Sequence, residues 1–360
     1  MRVSFVYPKD KQCGISVYGT RYLRALKQLP LEIDEIDTES FQNSVNECIS
    51  MCSEADIVHI QYEPGFFSKM DLFSKLCRKI HKPVIVSLHE VYRRDPFSYP
   101  RENVRPPFLK LKRMIYDYRH PLQTMQRNHV NKRFFNAARI LVHHQFQKEI
   151  VAQWGIEKRK ITVIGHPVFT NAAFHKHSDD KLRLGCCGFL NPHYDFELLF
   201  KVLEGITTDW QFTWVGGFKK DQSALMSDLS VKITSMGWQD RFRITGWLGE
   251  PQFYDSLKDI DLALCLFSNR SSSGSIPEFI GAGIPVIATE LPLTRELADH
   301  NGVLLCSNQP QPVLDYIHKY IEDEPFREIV KINTSRFAKE NSYTQKALEL
   351  YQVYNEVERE

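Results

Sequence analysis

Two continuous apolar runs, Asp261-Leu-Ala-Leu-Cys-Leu-Phe267 and Ile284-Pro-Val-Ile-Ala-Thr289, stand on either side of a polar loop and a short helical stretch. Apolar runs without alternation suit strands buried on both faces. Two of them joined through a helix make a β-α-β unit, which commits this part of the chain to a doubly wound α/β domain. The loop between them, Asn269-Arg-Ser-Ser-Ser-Gly-Ser275, carries small residues, free hydroxyls and one fixed positive charge. Backbone N–H groups in such a loop and at the start of the following helix suit an anion, above all phosphate. The alternative is an ordinary strand–loop–helix in which Ser275 is the N-cap and Glu278 closes a capping box. Pro277 fits a helix start, and Gly281 and Gly283 fit its end.

The same grammar recurs along the chain. Arg2–Tyr7 reads as a first buried strand, followed by a loop with Gly14 and a helix over Ser16–Leu29. Strands are expected within Ala55–Glu63, Pro83–Leu88, Ala138–His143 and Ile161–Ile164, with helix signals at Leu72, Leu76 and Ile80. A polar stretch, Asn171–Lys181, reads as a linker. A second set follows: a strand over Leu182–Gly188, a helix over Asp195–Leu203, strand–turn pairs at Thr213–Gly217 and Phe242–Gly246, and a helix around Tyr254–Leu257. Helical periodicity returns over Ser335–Val357. Ligands of such sheets bind at the carboxyl ends of strands. Gln61-Tyr-Glu63 and His89-Glu90 stand at two of those ends, where a histidine or carboxylate can position or polarise a substrate.

The string Ser273-Gly-Ser-Ile-Pro-Glu-Phe-Ile-Gly-Ala-Gly-Ile-Pro-Val-Ile-Ala288 resembles the nucleotide-sugar-binding segment of GT-B glycosyltransferases, closest to family four, the retaining hexosyltransferases. The resemblance implies an α/β, GT-B fold: two Rossmann-like β/α/β domains facing a deep interdomain cleft. The expected division is an acceptor-side domain over 1–172, joined by a terminal helix of about 340–360 crossing back, and a donor domain over 173–339. In the family, two glutamates bracket this loop. The second matches Glu278, which would hold the donor ribose; the first position is Arg270 here. A second departure lies near Gly188, where the family has an arginine and then a lysine for the donor diphosphate. This chain has Phe189 and Tyr194. Arg270 could replace their charge.

The resemblance implies a cytoplasmic transferase. It would move a sugar from a nucleoside diphosphate sugar (UDP- or GDP-sugar) to a glycan, glycolipid or lipid-linked acceptor in polysaccharide biosynthesis, with retention and no essential metal. His89, Glu63 and Arg270 would be catalytic. Gly14, Phe189, Trp247, Ser272, Ser273, Gly274, Ser275 and Glu278 would bind the donor. The three departures also motivate another reading: a catalytically silent GT-B protein that binds glycan or lipid or supports a partner transferase.

Charge and cysteine usage bear on partners. Residues 1–170 hold 27 lysines and arginines against 17 acidic residues, and the remainder 19 against 27. A basic half suggests that one lobe meets something anionic. Within residues 92–133, eleven basic residues stand against three acidic ones, with apolar side chains between them. Such a segment suits a peripheral contact with an anionic membrane, and no nucleic-acid module accompanies it. Eight cysteines without a CxxC pair suit reduced, buried thiols and no zinc site. Neither a signal peptide nor a membrane-spanning apolar run is expected.

Overall fold

In a computed structural model, the described residues are 1–39, 45–63, 66, 79–91, 133–171, 181–218 and 223–360. They form two units. One comprises Met1–Gly165 with Ala347–Glu360, the other His166–Lys346. The basic segment 92–133 (Arg133 apart), Leu72, Leu76 and almost all of the 171–181 linker lie outside the described residues.

In the first unit, β1 (Arg2–Tyr7) is buried from Val3 onward, as its apolar run requires. Helix α1 (Gly14–Leu26) starts two residues earlier than expected because the Cys13 Sγ accepts the Ser16 N–H at 3.4 Å. Its Tyr18, Tyr22, Leu23 and Leu26 are buried. Further strands are β2 (Glu32–Asp37), β3 (Ile57–Tyr62), β4 (Val84–Leu88), β5 (Arg139–Val142) and β6 (Ile161–Val163); the helices α2 (Val45–Ser53) and α3 (Gln145–Gln153) lie between them. The sheet is parallel, in the order β2-β1-β3-β4-β5-β6. The chain therefore reverses direction across the sheet between β1 and β3. The two-residue period divides β3 and β4 cleanly. Val58, Ile60, Tyr62, Val84, Val86 and Leu88 join Ile140 and Val142 in one apolar cluster. His59, Gln61 and Ser87 belong to the alternate positions.

The second unit repeats the scheme with β7 (Leu182–Cys187), α4 (Phe196–Gly205), β8 (Trp210–Val215), α5 (Ser223–Ser235), β9 (Phe242–Ile244) and α6 (Glu250–Lys258). It continues through β10 (Leu262–Cys265), α7 (Ser275–Gly281), β11 (Val286–Thr289), α8 (Pro292–Asp299), β12 (Leu304–Cys306), α9 (Pro310–Glu322) and α10 (Glu324–Glu340). Its parallel sheet runs β12-β11-β10-β7-β8-β9, so its reversal lies between β7 and β10. In doubly wound sheets this is where a ligand crevice opens.

The single helix expected over Ser335–Val357 is two. Helix α10 ends at Glu340 with Asn341 as its C-cap, and α11 spans Tyr343–Arg359. The break is held by Val168, whose N–H donates to the Asn341 carbonyl at 2.7 Å and whose carbonyl accepts the Tyr343 N–H at 3.2 Å. From Ala347 onward α11 belongs to the first unit. There Arg139 donates to Glu360 Oε1 at 2.6 Å, and Tyr354 is buried.

Candidate functional site

In the second unit, the loops that follow four strands meet at the carboxyl edge of the sheet. After β7 comes Gly188, with φ of 101°. A Cβ on it would lie 3.5 Å from Ser275 Oγ, at the start of the helix after β10. After β8 comes Gly216, with φ of 141°, where a Cβ would come within 2.2 Å of the Gly188 carbonyl oxygen. Only glycine suits that approach and those dihedrals. Gly217 in turn faces the Trp247 backbone nitrogen, at 3.2 Å from its Cβ position, on the loop after β9. Two bonds hold the floor. Trp214 Nε1 donates to the Gly188 carbonyl at 2.9 Å, and the Gly216 N–H donates to Thr245 Oγ1 at 2.9 Å.

The serine loop packs tightly: Ser271, Ser272 and Ser273 are buried, Gly274 is exposed and Ser275 is half-buried. The capping-box alternative is not what forms. Gly274 is the N-cap of α7, Ser275 is its first residue, and the Ser273 Oγ lies 3.5 Å from the Ile276 N–H. Glu278 does not reach back to the cap; its Oε2 accepts the hydroxyl of Tyr254 at 2.6 Å. Gly283 has the left-handed φ, 76°, of a helix stop. Gly281 lies inside the helix, where a Cβ would come 2.1 Å from the Phe169 carbonyl oxygen.

The aromatic and basic positions separate. Phe189 stacks on Trp247, with centroids 5.3 Å apart and 23° between planes, and Trp247 is 46% exposed. Tyr194 is different: it is 3% exposed, its hydroxyl donates to the Leu264 carbonyl at 2.9 Å, and it packs edge-on to Trp214 and Phe267. It is a core residue, so its lack of charge reflects packing. Arg270 is half-buried, with its guanidinium over the Phe267 ring at 5.5 Å. Cys186, Cys187 and Cys265 are buried beneath this edge, and burial raises the Cys187 and Cys265 thiols well above their usual range.

In the first unit, Gly14 opens α1 with nothing near its Cβ position. Glu63 follows β3 and is half-buried. His89 follows β4, is 7% exposed, and lies edge-on to Tyr18 at 4.8 Å, with the His143 ring 5.5 Å away. His89 Nε2 bonds Gln61 Oε1 at 2.9 Å, and Gln61 Nε2 lies 3.1 Å from His59 Nε2. His59 also meets Ser87 Oγ at 2.8 Å and Tyr354 Oη at 2.6 Å. Burial, aided by the nearby His89, pushes His59 down to about 3, so it is neutral. Sequence reasoning missed His59, Ser87, His143 and Tyr354. The signal was present: His-x-Gln and Ser-x-His in strands otherwise apolar place polar groups on one buried face. Among the described residues no cluster of His, Cys, Asp and Glu suits a metal ion, and no helix is long and apolar enough to cross a membrane.

Two doubly wound units of this kind define the GT-B class of fold, and comparison with known proteins agrees. The family model described as glycosyl transferases group 1 matches residues 181–323, and that of glycosyltransferase family 4 matches 39–171. HepE of Anabaena, solved in complex with UDP-glucose, is similar with a TM-score of 0.74 at 14% identity, over 99% of this chain and 100% of that one. Sucrose-phosphate synthase from Thermosynechococcus elongatus gives 0.75 at 12% identity, over 99% of both chains. The lipopolysaccharide outer core galactosyltransferase WaaB gives 0.63 at 13%, over 99% and 100%. No curated protein sequence matches the chain. The chain belongs to the GT-B glycosyltransferases of the family-four type.

Proposed function

We propose that the protein transfers a hexosyl group from a nucleoside diphosphate sugar to a hydroxyl of a glycan or lipid-linked acceptor, with retention and without an essential metal. The observation that carries this reading is the meeting of Gly188, Gly216, Trp247 and the serine loop at the sheet reversal between β7 and β10. A glycine floor lets a diphosphate approach the backbone, and the amides of Ser273, Gly274 and Ser275 offer donors to it. In the reaction the bond from the anomeric carbon to the diphosphate breaks, a bond to the acceptor oxygen forms, and the acceptor proton passes to an oxygen of the departing diphosphate. Charge grows on the leaving diphosphate, so fixed donors and Arg270 stabilise the transition state more than the ground state. Glu278, steadied by Tyr254, takes the ribose hydroxyls, and the Phe189–Trp247 pair takes the base. Ser272 lines the loop, Gly14 leaves room for phosphate or acceptor, and His89 and Glu63 serve the acceptor or the sugar. Uracil is the preferred base, since the similar HepE was solved in complex with UDP-glucose.

A second reading keeps one observation in its favour. Phe189 is stacked on Trp247 where the family carries an arginine, which suits a protein that binds without turnover. One experiment separates the two. Thermal shift is recorded with UDP, GDP, ADP, CMP and dTDP on the wild type and on Arg270→Ala, followed by hydrolysis of the sugar nucleotide that binds. A ligand at a hundredfold excess over its dissociation constant adds about 2.7 kcal/mol of stability. A shift with one diphosphate, reduced in Arg270→Ala, together with slow hydrolysis, is the expected result. Binding without hydrolysis selects the silent protein. No shift with any nucleotide sinks the donor-site reading.

A further inference from the structure

The β3–β4 face that carries His89 is polar where a parallel sheet is ordinarily apolar. Gln61 and His59 are each 1% exposed, in the middle of the sheet. Polar groups so deep are costly unless each is partnered. Here they are partnered in a line, from Tyr354 on α11 through His59 to Gln61 and on to His89, with Ser87 beside His59. The ends of that line are held differently. The His89 ring is set by its edge-on packing against Tyr18, while Tyr354 is fully buried.

A carboxamide has one donor end and one acceptor end. With its Nε2 towards His59 and its Oε1 towards His89, Gln61 donates to the lone pair of His59 Nε2 and accepts the hydrogen of His89 Nε2. Neutral His59 then keeps its hydrogen on Nδ1 and donates it to Tyr354 Oη. If the amide is turned over, every hydrogen reverses: His59 Nε2 donates and His89 Nε2 accepts. In either setting only one of the two Nε2 atoms carries a hydrogen. We infer that Gln61 is a positioning residue for His89: its amide couples His89 to His59, so that only one of the two Nε2 atoms carries a hydrogen, and so sets the His89 tautomer. Its bearing on catalysis rests on the transferase reading above; its bearing on the tautomer does not.

The test uses the full chain labelled with ¹⁵N-histidine, with ring-nitrogen NMR at neutral pH and signals assigned through His59→Asn and His89→Asn. In the wild type, His59 and His89 are expected in opposite states at Nε2. Gln61→Leu removes both ends of the amide, so the His89 tautomer signature changes. Gln61→Glu keeps an acceptor for His89, so His89 retains its Nε2 hydrogen, while His59 Nε2 loses its amide donor and keeps Ser87 Oγ at 2.8 Å. In sugar-nucleotide hydrolysis, Gln61→Leu is expected to lower kcat about tenfold with KM unchanged, as loss of about 1.4 kcal/mol from the transition state alone would do. Gln61→Glu recovers part of it. Equal Nε2 states in the wild type, or a His89 signature unmoved in folded Gln61→Leu, overturn the inference. If Gln61→Leu does not fold, Tyr354→Phe takes its place, and histidine spectra unmoved in both Tyr354→Phe and Gln61→Glu overturn it. A protein without turnover that shows these spectra loses the transferase reading and keeps the relay.

Discussion

Tyr254 donates its phenolic hydrogen to Glu278, Oη to Oε2 at 2.6 Å, and so ties α6 to α7. Tyr254 is itself braced against Phe169, centroid to centroid 5.5 Å. The carboxylate is thereby aimed by a buried side chain from another helix. A hydrogen bond to a charged group contributes roughly 1.5–3 kcal/mol. Tyr254→Phe is expected to weaken UDP binding by about tenfold, or about 1.4 kcal/mol, and Glu278→Ala more. Isothermal titration with UDP and with its 2′,3′-dideoxy analogue checks this. Both variants should lose affinity for UDP and little for the analogue; equal losses for both ligands would remove Glu278 from the ribose.

The glycine floor makes a stability prediction. Gly188→Ala places a side chain at a φ of 101°, which costs about 1–3 kcal/mol. Gly216→Ala adds a collision, since its Cβ would sit 2.2 Å from the Gly188 carbonyl oxygen. The second substitution should therefore lower the urea midpoint further than the first. Four of the five tryptophans, Trp210, Trp214, Trp238 and Trp247, lie in the second unit and Trp154 in the first, so tryptophan fluorescence of a Trp154→Phe background follows unfolding of the second unit. An unchanged midpoint for Gly216→Ala would contradict the close approach.

In the proposed donor site, Phe189 stands where a cation would meet the diphosphate. Phe189→Arg is expected to add one charge-assisted hydrogen bond to the diphosphate, roughly 1.5–3 kcal/mol, while losing the stack under the base, so UDP binding should tighten relative to UMP by about tenfold or more. The stack on Trp247 is lost, so the melting temperature should fall by the equivalent of about 0.5–1.5 kcal/mol. An unchanged ratio of UDP to UMP affinity with a lower melting temperature would place the diphosphate elsewhere.

Buried His59 sets a pH dependence. Its folded value is pushed down to about 3 by burial, below an unfolded value of about 6.5. The unfolded state thus binds more protons between those values, and stability falls as pH drops through that window. The contribution is fully present above about pH 6.5. By about pH 5 it should have lost about 2 kcal/mol. Denaturation of the wild type and of His59→Asn at the two pH values checks this, and the variant should show the smaller drop. An equal drop in both would assign the acid sensitivity to other groups.

Much of the fold was legible from apolar runs alone. The first strand, Arg2–Tyr7, has the bounds expected of it, and the strands of the central sheet positions fall within their apolar stretches. β2 was not legible. Glu-Ile-Asp-Glu-Ile-Asp reads as a charged surface segment, and it forms an edge strand whose acidic residues find partners on and beside β1, Asp34 with Arg2 at 2.7 Å and Glu35 with Tyr7 at 3.0 Å. The break between α10 and α11 escaped notice for a related reason. The helical pattern continues across Asn341 and Ser342, and the stop is imposed by Val168, far away in sequence.

For the site, sequence alone determined that a serine loop, glycine turns and aromatic residues follow the buried strands, because local composition dictates strand, turn and helix. Tertiary structure decided what each residue faces. It withdrew Tyr194 into the core, gave Glu278 to Tyr254, and brought Gly188 beside Ser275. It also joined His59, Gln61 and His89 to Tyr354, a pairing of residues 59 and 354. The physical reason is range. Propensity and periodicity act over a few neighbouring residues, whereas a buried polar group takes whichever partner packing brings to it, at any distance along the chain.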